Sequence, residues 1–121
     1  MFQRLNQWSE IKSYFMKLSL ALFSRLGKRH YYSVDQVTQT AQRADFKSNY
    51  LVYAHALFCE RKEFRRHYKR TKFRERYEAL RGEVSDRYFG GVRDFDAANI
   101  IDAVHSLEIP DHFHQGAGGF A

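Results

Sequence analysis

Residues 46–69 limit most sharply what this chain can fold into. The first half of the stretch, Tyr50-Leu51-Val52-Tyr53-Ala54-His55-Ala56-Leu57-Phe58-Cys59, is apolar almost all the way round. The second half keeps only a stripe. At about 100° per residue, Phe46, Tyr50, Tyr53, Leu57, Phe64 and Tyr68 share one face that runs through both halves. A helix apolar on every side is wrapped by other helices, and one that turns amphipathic emerges from them. The spacing therefore predicts an all-α fold, a compact bundle of about five helices around a long central helix at about 46–69.

At 121 residues the chain is long enough for one core and too short for two. Residues 1–110 are expected to form a single helical domain, and 111–121 a flexible tail containing glycine and histidine. With one proline, seven glycines and an aromatic content of 17%, long helices with large side chains between them are favoured. The single cysteine, Cys59, excludes an internal disulfide and a cysteine-rich zinc site. No window approaches the ~18 apolar residues of a membrane-spanning helix. The apolar run at 18–23 is interrupted by Ser19, crowded by Lys17 and Arg25, and followed by no small-x-small cleavage pattern. These features predict a cytoplasmic protein.

Around the central stretch, Trp8, Ile11, Phe15, Leu18, Leu22 and Leu26 predict a first helix, with Gly27 as its stop. That helix has a weak point near Ser9. Ser33 and Gln36 form a capping box, and Tyr32 and Val37 occupy the staple positions around it. Val34, Val37, Ala41 and Ala44 are the expected inner side of the short helix that follows. Phe64 and Phe73 lie about 180° apart on an unbroken helix, so a bend is expected at 70–72. A new stripe, Phe73, Tyr77, Leu80, Val84 and Tyr88, places a further helix at about 71–88. Gly82 inside it costs about 1 kcal/mol relative to alanine, which a close contact would explain. Gly90-Gly91 ends that helix. Asp94 or Asp96 caps a last one, with Phe95, Ala98, Ile101 and Val104 or Leu107 inward, before Pro110.

The net charge of +6 is a local property. Residues 61–76 hold nine cations (Arg61, Lys62, Arg65, Arg66, Lys69, Arg70, Lys72, Arg74, Arg76) against Glu63 and Glu75, a balance of +7, so the remainder sums to −1. Lysine and arginine neutralise phosphates, and interleaved aromatics stack on exposed bases. Yet Phe64, Tyr68, Phe73 and Tyr77 are the residues whose spacing assigns them to the interior, and a buried ring cannot stack on a base. What remains is a charged ridge on two helices, which serves either as a docking surface or as a merely solvated face.

Other constellations carry less. Residues 37–57 fit the spacing of a helix-turn-helix, but Thr40 and Asp45 stand where an apolar residue and a glycine are usual. The would-be reading helix has almost nothing polar for base edges. His55, Cys59, Glu63 and His67 recur every four residues, so neighbours could share a metal, although a core histidine and a buried thiol are the commoner outcome. His105, Asp111, His112 and His114 form a second weak cluster, with His112 and His114 the only metal candidates retained. Asp86, Asp94, Asp96 and Asp102 are numerous, but two of them are better used as caps. No phosphate-binding loop, nucleophile elbow or H-E-x-x-H pattern is present. Lys12, Lys17, Arg25, Lys28 and Arg29 would suit a membrane surface, but the stripe they flank is needed to cover the central helix.

The sequence is therefore read as a non-enzymatic binding module of adaptor, inhibitor or immunity type, without a cofactor. Its ridge at 61–76 would hold an acidic protein partner, and non-sequence-specific nucleic-acid binding is the alternative.

Overall fold

A computed structural model describes the backbone of residues 2–46 and 48–108, and the side chains of residues 9–46 and 48–106. Helix α1, Phe2–Leu26, buries Ile11, Tyr14, Phe15, Leu18 and Leu22 along one face and runs unbroken past Ser9. Gly27 stops it at a φ of 82°, where an L side chain would be strained. The side chain of Trp8 lies outside the described residues.

The capping box forms at the start of α2, Val34–Arg43. The Gln36 amide donates to Ser33 Oγ at 3.0 Å, and the Ser33 amide donates to Gln36 Oε1 at 2.9 Å. Tyr32 and Val37 are both buried beside it. Ala44, expected inward, is exposed. It lies just past the helix end, where Asp45 turns the chain at a φ of 60°.

The long helix expected at 46–69 is divided. A 3-10 turn at Ser48–Tyr50 leads into α3, Leu51–Phe58, and two extended residues, Cys59 and Glu60, separate it from α4, Arg61–His67. A helix end leaves its last carbonyls without intrahelical donors. Here they are met from elsewhere: Arg81 donates to Ala56 O at 3.0 Å, the Tyr32 amide to Phe58 O at 2.8 Å, and Tyr77 Oη to Cys59 O at 2.8 Å. Tertiary donors thus make the break affordable where no glycine or proline announces it. The apolar stripe survives because α4 resumes nearly in phase, with Leu57 and Phe64 both buried.

Helix α5, Tyr77–Tyr88, begins six residues later than the stripe from Phe73 suggests. Residues 68–76 form successive turns instead, with Thr71 as their pivot. Its amide and hydroxyl both donate to Tyr68 O at 2.9 Å, and its Oγ1 accepts from the Phe73 amide at 3.0 Å. Five cations in eight residues would stack like charges on one helix, which disfavours continuing it. After Gly90 and Gly91, both at positive φ, α6 occupies Ala97–Glu108. Asp96, rather than Asp94, is its cap, exchanging hydrogen bonds of 2.9 Å with Asn99.

Five of the six α-helices of the described residues contribute to one main core, α4 packing instead through Phe64, and no strand occurs among the described residues. Helix α1 lies against α2 and α6, and α3 lies against α2 and α5. A smaller cluster, Ala56, Phe64, Tyr77 and Leu80, joins α3, α4 and α5 beneath the basic segment. No described helix is long and apolar enough to cross a membrane. Pro110 and the segment 111–121 lie outside the described residues.

Candidate functional site

Two inward contacts orient α4. Phe64 is fully buried, and Glu63 Oε2 accepts the Val34 amide at 2.7 Å, placing a carboxylate at the positive end of α2. With these two side chains directed inward, Arg61, Lys62 and Arg66 are exposed and Arg65 is half-buried. Lys69, Arg70, Lys72, Arg74 and Arg76 are all exposed on the turns that follow. The cations expected on two helices therefore occupy one short helix and an irregular segment, for the reason of charge crowding given above.

Below them, Phe64 stacks on Tyr68 at 4.6 Å and on Tyr77 at 5.3 Å, and Tyr68 meets Phe73 at 6.0 Å between ring centroids. Phe64 and Tyr77 are buried, and Tyr68 and Phe73 are half-buried. Lys72 Nζ sits 5.4 Å from the centre of the Phe73 ring. The rings support the ridge from inside.

Several cations have carboxylate neighbours. Arg65 meets Glu75 at 2.9 Å, Arg76 meets Glu83 at 3.4 Å, Arg74 meets Glu75 at 3.5 Å, Arg61 meets Glu78 at 3.7 Å and Arg66 meets Glu63 at 3.9 Å. Solvent-accessible pairs of this kind are worth about 0–1 kcal/mol each, so they hold the cations in place only loosely. Nine cations against four carboxylates leave five positive charges on this surface. Lys62, Lys69, Arg70 and Lys72 have no carboxylate within 4 Å among the described residues.

Two arginines near the ridge escape a reading based on charge runs. Arg81 is 5% exposed, with its guanidinium between the rings of Phe95 at 4.0 Å and Tyr77 at 5.1 Å. It donates to the carbonyls of Ala56 and Phe95, and no carboxylate pairs with it among the described residues. Its position is visible in the spacing: four residues after Tyr77, it shares the inner face of α5. Arg93 lies across Gly82, where a methyl group would run into its guanidinium, and it pairs with Asp86 at 3.4 Å. That is the close contact that Gly82 requires. Arg61, Lys62, Arg81 and Arg93 line an open cleft of about 320 Å³, together with Tyr31, Glu60, Tyr77, Glu78, Asp94 and Phe95.

The four-residue repeat His55, Cys59, Glu63, His67 does not converge on a metal. Each member but His67 has another role: His55 and Cys59 are buried, and Glu63 accepts the Val34 amide. His55 is buried between Thr38 Oγ1, 2.9 Å from its Nε2, and Tyr68 Oη, 2.6 Å from its Nδ1. Burial, reinforced by nearby His67, holds its pKa down at about 4. Burial pushes the Cys59 thiol well above its ordinary range, which keeps it protonated. His67 contacts the edge of the His55 ring at 5.4 Å between centroids. No group of three potential metal ligands occurs among the described residues.

His105 hydrogen-bonds the Ile101 carbonyl at 2.9 Å, while Asp111, His112 and His114 lie outside the described residues. The four aspartates are dispersed: Asp86 on Arg93, Asp102 on Lys28 at 3.0 Å, Asp96 at its cap and 2.8 Å from His30, Asp94 on the cleft. Asp45 does take the left-handed conformation of a helix-turn-helix turn. The helix after it is α3, however, whose residues Ala54 to Phe58 are buried and present nothing to a base edge.

The fold thus defines a small all-helical domain with its cations gathered on α4 and the turns that follow. The chain belongs to a family of unknown function, DUF6559, which matches residues 2–119. No curated protein and no solved structure matches it.

Proposed function

We propose that the protein is a non-catalytic cytoplasmic binding module whose surface at 61–76 holds an acidic protein. One observation carries this reading. Five unbalanced positive charges face solvent while the aromatic rings interleaved with them are turned into the domain. Cations without exposed stacking platforms recognise carboxylate-rich surfaces through charge-assisted hydrogen bonds and electrostatic steering. A single-strand binder, by contrast, draws about 1–3 kcal/mol per base from exposed rings.

Fluorescence anisotropy with two labelled probes tests the choice of ligand. Hexaglutamate and a single-stranded hexanucleotide of mixed sequence are titrated with the full chain at low salt. Hexaglutamate is expected to bind at least as tightly as the oligonucleotide. An oligonucleotide bound more than tenfold tighter would overturn the reading and install nucleic acid in its place.

A further inference from the structure

We propose that the cleft over Arg81 is the anchor point of this interface, a pocket that receives one carboxylate side chain of the acidic partner. The inference rests on the acidic-protein reading and specifies which atoms do the recognising.

Arg81 forms the floor. A guanidinium has five N–H donors, and two of those of Arg81 are committed to the Ala56 and Phe95 carbonyls. The C-terminal end of α3, where Ala56 sits, offers only about half an elementary negative charge in compensation. The remaining donors have no acceptor among the described residues, and Arg81 lines the cleft. The rings of Tyr77 and Phe95 fix the plane of the guanidinium, so it presents a preorganised fork of the kind that pairs with carboxylates. Arg61 and Lys62 bring the ridge to one wall. Arg93, lying over Gly82, forms another.

The carboxylates around the cleft select the size of the charge. Glu60, Glu78 and Asp94 stand beside the four cations and leave a net charge of about one. A single carboxylate matches that balance. A phosphate dianion or a run of phosphodiesters would meet three like charges as it entered. The same carboxylates, and the hydroxyl of the exposed Tyr31, are available to backbone amides flanking a partner's glutamate or aspartate.

The test is an NMR shift titration of the full chain with N-acetylglutamate amide, with inorganic phosphate titrated separately. Saturable shifts are expected at residues 31, 61, 62, 81 and 93. Gly82→Ala is expected to weaken binding about fivefold, the effect of moving one exposed charge, because its methyl group displaces Arg93. The substitution favours the helix, so the melting temperature should not fall. Arg81→Gln should reduce binding more than tenfold. If that variant unfolds, Gly82→Ala decides alone. Shifts confined to residues 69–72, unchanged affinity in Gly82→Ala, or phosphate bound tenfold tighter than the glutamate probe would each overturn the proposal. A triple reversal of Lys69, Arg70 and Lys72 to glutamate separates this failure from that of the broader reading. If the reversal abolishes hexaglutamate binding while Gly82→Ala leaves the N-acetylglutamate titration unchanged, the ridge stands and the anchor falls.

Discussion

His55 and Tyr14 show that buried polar groups in this core follow different rules according to their partners. His55 is 1% exposed, and its folded pKa of about 4 lies below the ordinary 6.5. The unfolded chain therefore takes up a proton that the folded one refuses as pH falls from 6.5 to 4. Stability is fully present above pH 6.5 and is lost through that window, by about 2 kcal/mol between pH 7 and pH 5. Urea unfolding at both pH values should show this loss, and His55→Gln, which cannot titrate, should remove most of it. An equal loss in the variant would assign the pH dependence to another group. Tyr14 Oη, by contrast, is buried without a hydrogen-bond partner among the described residues, and burial raises its pKa to about 12.

Helix ends are where the elements of this fold are decided. Helix α3 stops because Arg81, Tyr32 and Tyr77 supply donors to its last carbonyls. Tyr77→Phe should therefore cost about 1–3 kcal/mol, since it leaves the buried Cys59 carbonyl unmet. Tyr14→Phe removes an unpartnered hydroxyl and should be neutral or stabilising. Chemical denaturation of the pair checks this contrast. Equal effects would mean that the Tyr77 hydrogen bond does not hold the break.

The same contrast explains what the sequence discloses. The Ser33–Gln36 box, the Gly27 stop and the Gly90-Gly91 end are local chemistry, and they were legible. The break at Cys59-Glu60 depends on donors 18 and 25 residues away and on an amide before α2, so periodicity runs straight across it. Arg81 hides for a related reason. Its charge argues for the surface, while its spacing from Tyr77 argues for the interior, and two carbonyls and two rings make the interior tolerable. The turns at 68–76 replaced an expected helical turn because crowded charge outweighs the apolar stripe there.

At the level of the whole molecule, the interior and the cationic surface are built from the same segments. Phe64, Tyr68, Phe73 and Tyr77 tie α4, the turns and α5 to the smaller core cluster, and the intervening residues are left to carry charge outward. The ion pairs along 61–76 are surface pairs, so charge there can be changed at little expense to the fold. Lys69, Arg70 and Lys72 are the clearest targets, because no carboxylate within 4 Å among the described residues is disturbed when they are reversed. Hexaglutamate affinity and melting temperature should be measured on the same preparation of the Lys69→Glu, Arg70→Glu, Lys72→Glu protein. The expected result is at least a tenfold loss of affinity with the melting temperature within a few degrees of the parent, and an unchanged affinity in a folded variant would contradict the assignment of this surface to an acidic partner.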